Sequence, residues 1–96
     1  KKLARSIMRC EPVEIVNQLG LHARAAAKFV ATATRFESKV SLAKDGKVVD
    51  GKSIMSVMML AASIGTMLEI KTDGPDEQEA MAAIKELIAD KFGEGQ

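Results

Sequence analysis

The sequence predicts an α+β domain, a four-stranded antiparallel sheet with three helices on one face, in the order βαββαβα. Three observations carry this expectation. Segments that alternate polar and apolar residues interleave with Ala- and Met-rich segments of helical period. Asp45-Gly46 lies between two short runs containing β-branched residues, where a tight hairpin needs residues tolerant of positive φ. Finally, 96 residues with 47% apolar content suffice for one core and are too few for two. With only three aromatics, Phe29, Phe36 and Phe92, that core must be built mainly from aliphatic side chains.

The first strand is expected over residues 13–16, where β-branched residues surround Glu14 and Pro12 stands just before the start. After Gly20, the residues Ala25, Ala26, Phe29, Val30 and Ala33 share one helical face, so a first helix is expected to begin just after His22. Residues 39–44 alternate Val40 and Leu42 with polar neighbours, and Asp45-Gly46 turns the chain into Lys47-Val48-Val49, giving a hairpin of strands two and three. Ser53 is placed to cap a second helix that opens on Ile54-Met55, with Gly65 as its expected stop. Residues 66–72 read as the fourth strand. Asp76 and Glu79 have capping-box spacing ahead of a third helix with Ala80, Ile84, Leu87 and Ile88 on its apolar face, closing near Phe92-Gly93. Right-handed crossovers in the two βαβ units each leave a gap for another strand, which predicts the order 1-4-2-3. The domain is expected over residues 12–93, with a flexible extension at 1–11 and a short tail at 94–96.

Composition excludes several classes of function. A net charge of +1 without a concentrated basic stripe or exposed aromatics argues against nucleic-acid binding. One cysteine, Cys10, cannot form an internal disulfide, and with one histidine there is no cluster of metal-ligand spacing, so neither a metal nor another cofactor is expected. No stretch reaches the roughly 18 apolar residues of a membrane span and no signal-peptide pattern is present, so the expected location is the cytoplasm.

The single histidine, His22, stands in Gly20-Leu21-His22-Ala23-Arg24, where the extended segment gives way to the first helix. A helix start offers unpaired amide donors and the positive end of the macrodipole. An anion carried on the imidazole could therefore be held by main chain and by Arg24 together. Neutral imidazole is a competent nucleophile near neutral pH, and phosphoryl transfer asks for positioning and charge stabilisation more than for covalent machinery.

Three segments, Gly20-Leu21-His22-Ala23-Arg24, Asp50-Gly51-Lys52-Ser53-Ile54-Met55, and Gly65-Thr66 through Asp76-Glu77-Gln78-Glu79-Ala80, occur in this order in a chain of this length. Together they resemble the HPr family, the histidine-containing phosphocarriers of the bacterial phosphotransferase system. The resemblance implies a stoichiometric carrier and not an enzyme. His22 would accept a phosphoryl group on Nδ1 from phosphorylated enzyme I and pass it to enzyme IIA components, with Arg24 and the backbone N–H of Ala23 steadying the phosphoryl oxygens. It implies regulatory phosphorylation of Ser53 by an HPr kinase/phosphorylase, and a partner-docking patch of Leu21, Ala23, Ile54, Met55 and Met58, whose flexible methionines suit several partners. Val57 and Leu60 are expected in the core. A monomer suits such a shuttle.

Ala25 stands where many members of the family have proline, and Leu19 replaces a polar residue, which leaves the sugar-transport and nitrogen-related branches both open. In the alternative reading the chain is a regulatory module of the nitrogen-related branch, acting through Ser53-dependent docking.

Overall fold

The computed structural model describes residues 8–94. Four strands, β1 (Arg9–Glu14), β2 (Lys39–Lys44), β3 (Lys47–Asp50) and β4 (Met67–Asp73), form one antiparallel sheet in the order β1-β4-β2-β3. The helices α1 (Ala23–Ala33), α2 (Ile54–Met59) and α3 (Glu77–Ala89) cover one face, and a 3₁₀ turn at Lys91–Gly93 follows. Expected fold class and strand order are both met. No helix among the described residues is long and apolar enough to cross a membrane.

Strand β4 sits between β1 and β2 and reads cleanly with period two: Leu68, Ile70 and Thr72 are buried, and Met67, Glu69, Lys71 and Asp73 are exposed. Its inward residues meet Ala25, Ala26 and Phe29 from α1 and Met81, Ile84 and Ile88 from α3 in one core. Phe29 and Phe92 are the largest residues in that core, so two of the three aromatics join the aliphatic majority. The hairpin turn forms as expected, with Asp45 at φ 52° and Gly46 at φ 83°.

Several boundaries differ from the sequence reading, each for a physical reason. β1 begins at Arg9 and ends at Glu14, where the sequence placed it at 13–16. Its sheet-inward positions include Arg9 and Glu11, whose charges hide the alternation, and Lys85 of α3 covers Glu11 with a 2.5 Å contact. Pro12 is accommodated because β1 is an edge strand. Residues 9–11 therefore belong to the sheet and not to a flexible extension; residues 1–7 of that expected extension lie outside the described residues.

Helix α2 stops at Met59, well short of the expected stop at Gly65. Ala61 turns left-handed at φ 52°, and Lys44 Nζ donates to the carbonyls of Leu60 (2.9 Å) and Ala61 (3.5 Å). The Ala62 carbonyl accepts from Leu21 N–H at 2.8 Å, so acceptors that a longer helix would use are engaged elsewhere. Gly65, at φ 87°, instead turns the chain into β4 and donates its N–H to Ile15.

The capping box at Asp76 and Glu79 does not form. Asp76 occupies the N-cap position without a side-chain cap bond. Its carboxylate instead accepts from Glu37 N–H (2.9 Å), Ser38 N–H (2.9 Å) and Ser38 Oγ–H (2.5 Å), tying the segment before β2 to the start of α3. Glu77 replaces it locally, accepting from Gly74 N–H at 3.0 Å.

Gly20 is the glycine on which the site depends. Its φ is 70°, and a Cβ there would stand 2.5 Å from the Ala62 carbonyl oxygen and 2.9 Å from the Ser63 Cα. Gly20→Ala is expected to lower stability by about 2 kcal/mol or more, since strain and overlap add; urea unfolding of the two proteins measures it.

The Ser38 and Glu37 hydrogen bonds hold the Asp76 carboxyl below the usual aspartate range. A carboxyl lowered in the folded state contributes fully above its unfolded value, about pH 4, and loses the contribution as pH falls through the folded value. Acidification from pH 7 to pH 3 should therefore shift the urea midpoint of wild type more than that of Asp76→Asn; equal shifts would remove the assignment.

Candidate functional site

His22 is the N-cap residue of α1, extended at φ −75° and ψ 179°, and its side chain does not cap its own helix. The first-turn amides of Ala23 and Arg24 have no intrahelical acceptor and face the start of the helix. Ala23 and Arg24 are exposed and His22 is half-buried. With Leu19, Gly93 and Glu94 they line a shallow surface depression. Arg24 makes no hydrogen bond or ion pair among the described residues, so its guanidinium can reach toward a group on the ring.

The two ring nitrogens of His22 are in different situations. Nε2 lies 2.6 Å from Glu94 Oε2. An ionised carboxylate only accepts, so Nε2 carries the proton and donates it into this bond. Nδ1 has no partner among the described residues.

Glu94 is itself held. Its side chain is only 7% exposed, and Asn17 Nδ2 donates to its Oε1 (3.2 Å) and to the Gly20 carbonyl (2.9 Å). Both partners of Nδ2 are acceptors, which sets the amide orientation and leaves Asn17 Oδ1 buried without a partner among the described residues. Burial pushes the Glu94 carboxyl up, but hydrogen bonds from His22 and Asn17, together with the charge of Lys28, outweigh it and hold the group below the ordinary glutamate range.

Sequence reasoning missed both residues. Glu94 was assigned to the tail at 94–96, because nothing local shows that Lys91, Phe92 and Gly93 turn left-handed in succession (φ 55°, 56° and 74°) and bring the chain back to α1. Phe92, 1% exposed, anchors this turn in the core, and Lys28 Nζ donates to its carbonyl at 2.6 Å. The available signal was an apolar residue beyond the third helix, in Phe92-Gly93-Glu94.

Ser53 is the N-cap of α2, as the sequence placed it, and its Oγ accepts from Ser56 N–H at 3.3 Å. Ile54, Met55 and Met58 are exposed by 42%, 70% and 38%, and Met59 by 62%, while Val57 and Leu60 are buried. An α2 of six residues with this much apolar surface is not explained by core packing. Leu21 departs from its expected place in the docking patch: it is 5% exposed and belongs to the core, with its N–H pinned to the Ala62 carbonyl. Among the described residues, no group of three or more His, Cys, Asp or Glu side chains could hold a metal ion.

An imidazole with one ring nitrogen unpartnered among the described residues, on a shallow, open surface with amide donors and an unpaired arginine beside it, is an arrangement suited to a group carrier. Comparison with known proteins gives the family. The family model described as the PTS HPr component phosphorylation site matches residues 10–90. The phosphocarrier protein HPr of Cupriavidus necator is 58% identical over 82 residues, covering 85% of this chain and 92% of that protein. The crystal structure of HPr-C-His from Thermoanaerobacter tengcongensis superposes with a TM-score of 0.87 at 46% identity, covering 90% of this chain and 97% of that one. A crystal structure of an HPr dimer from the same organism matches with a TM-score of 0.73 at 49% identity, covering 85% and 94%. The chain belongs to the HPr family of the phosphotransferase system, and is a phosphocarrier protein and not a catalytic enzyme.

Proposed function

We propose that this chain carries a phosphoryl group on Nδ1 of His22, taking it from phosphorylated enzyme I and giving it to a histidine of enzyme IIA components. The observation that supports this reading best is the asymmetry of the ring: Nε2–H is engaged by Glu94 at 2.6 Å, and Nδ1 keeps its lone pair with no partner among the described residues. The Ala23 and Arg24 amides and the Arg24 guanidinium then act on the phosphoryl oxygens. Because the depression is open and Arg24 is not locked, the group is steadied without being trapped.

Ile54, Met55 and Met58, joined by Met59 and by Ala23 at the start of α1, form the surface on which successive partners dock. Ser53 lies directly before this patch and serves as a regulatory site for an ATP-dependent HPr kinase/phosphorylase. A phosphate there puts a dianion beside apolar contacts and weakens docking. The carrier works in the cytoplasm as a monomeric shuttle, which keeps one histidine face open to each partner in turn.

Incubation with enzyme I and phosphoenolpyruvate should place acid-labile phosphate on the wild type and none on His22→Ala. Equal labelling of the two proteins, or none on wild type, would sink the carrier reading. With ATP and an HPr kinase, acid-stable phosphate should appear on wild type and vanish in Ser53→Ala; label that persists in the variant rules out Ser53.

A further inference from the structure

The fold supplies His22 with a carboxylate on the Nε2 side of its ring, and that carboxylate comes from a residue 72 positions away in sequence. We infer that Glu94 is a positioning residue for phosphoryl transfer: it locks His22 in the Nε2–H tautomer, directs the phosphoryl group to Nδ1, and keeps the Nε2 proton on the ring while the group is carried. The inference rests on the phosphocarrier reading of His22 and assigns a role to a residue in the chain's last turn.

Geometry carries it. The His22 to Glu94 bond is 2.6 Å, just below the roughly 2.7–2.9 Å of charge-assisted bonds from nitrogen donors. Glu94 is not a surface side chain that meets the ring by chance, since 93% of its side-chain surface is covered, the complement of its 7% exposure. Its second oxygen is held by Asn17, a residue with 0% exposure that also grips the Gly20 carbonyl two residues before His22. The turn that delivers it contains two successive non-glycine residues in the left-handed region, Lys91 and Phe92, a costly conformation that persists because Phe92 is buried and Lys28 holds its carbonyl. A backbone strained to place one carboxylate on one imidazole nitrogen is what a positioning role requires.

The chemistry follows with atoms and electrons balanced. On loading, the Nδ1 lone pair forms the new bond to phosphorus while the donor's bond to phosphorus breaks, its electron pair remaining on the donor. Nε2 keeps its proton, so the ring becomes cationic, and the Glu94 carboxylate stabilises that charge. On unloading, the bond between Nδ1 and phosphorus breaks, its pair returns to Nδ1, and the leaving group is a neutral imidazole whose proton is already on Nε2. His22 neither gains nor loses a proton in either direction. Without the carboxylate the cationic ring has no counter-charge at Nε2, and a ring that leaves without the Nε2 proton leaves as an imidazolide, a far poorer leaving group. A carboxylate that holds the tautomer of a reacting histidine does the same work in hydrolytic triads.

The test uses the full chain, ¹⁵N-labelled at histidine, as wild type, Glu94→Gln and Glu94→Ala. Long-range ¹H–¹⁵N spectra of the unphosphorylated proteins should show the Nε2–H tautomer in wild type and a shift of population toward Nδ1–H in both variants. Loading from phosphorylated enzyme I and unloading to an enzyme IIA should each slow about tenfold, the effect of losing one charge-assisted hydrogen bond at a partly solvated site. Unchanged thermal unfolding would show that the variants fold, and a purely structural role for Glu94 would move unfolding without moving the tautomer. An Nδ1–H tautomer in wild type, or variants with the wild-type tautomer and wild-type rates, overturns the inference while leaving the carrier reading intact. Failure of wild type to accept phosphate on His22 overturns the carrier reading itself.

Discussion

The hydrogen bond from Leu21 N–H to the Ala62 carbonyl, at 2.8 Å, joins two loops that are 41 residues apart, and the arrangement of the site depends on it. One loop leads from β1 into α1 and the other from α2 into β4. Two more bonds zip the same junction: Ile15 N–H to the Thr66 carbonyl at 2.9 Å and Gly65 N–H to the Ile15 carbonyl at 2.8 Å. Only a residue without a side chain can stand at position 20 while the backbones approach so closely. The junction therefore places the start of α1, with His22, beside the end of α2, whose exposed methionines follow Ser53. Leu21 becomes a core residue as a direct result, and His22, its neighbour, is left at the rim.

Around this junction the chain ends its helices and turns with lysine more than with glycine. Lys44 Nζ takes the Leu60 carbonyl after α2, Lys52 Nζ takes the Phe36 carbonyl after α1 at 2.7 Å, and Lys28 Nζ takes the Phe92 carbonyl in the final turn. Each is a charge-assisted bond to an acceptor that the helix itself cannot satisfy. Each lysine also comes from a different element or loop than the carbonyl it holds, so termination of a helix is at the same time a tertiary contact. The short length of α2 and the left-handed turn at Lys91 and Phe92 are both consequences of this arrangement.

What could be read from the sequence follows the range of the interactions involved. β2, its Asp45-Gly46 turn, the Ser53 cap and the inward face of α1 rest on neighbours within a few residues, and periodicity and turn chemistry were enough to place them. The strand order followed from handedness alone. β1 was misplaced because Arg9 and Glu11 hold half-buried positions of the strand, with Lys85 of α3 rather than an apolar side chain meeting Glu11. Asp76 looked like a local cap and instead serves Ser38, from which it is separated by 38 residues. In the candidate site, His22 and Arg24 were legible from their motif. Asn17 and Glu94 were not, since the Asn17 to Glu94 and Glu94 to His22 bonds join residues more than 70 positions apart and need the turn that Phe92 anchors in the core.

The distribution of order in the site is itself informative. Behind the ring everything is held: Asn17 is fully buried, Glu94 is nearly so, and the turn between α3 and Glu94 is anchored by Phe92 and Lys28. In front of it the site is open: Nδ1 and Arg24 have no partners among the described residues, and Leu19, Ala23 and Arg24 on the depression are exposed. A site that bound its anion from all sides would stabilise the loaded state as much as the path out of it, and transfer onward would slow. In the proposed carrier reading, rigid support at Nε2 favours Nδ1 as nucleophile and as leaving group, because it acts on the ring and not on the phosphoryl group. Stabilisation of the phosphoryl oxygens is, in the same proposed reading, left to exposed amides and to the Arg24 guanidinium, groups that a docking partner can displace or share. The asymmetry between the two sides of His22 thus suits a histidine that must be as ready to give as to receive.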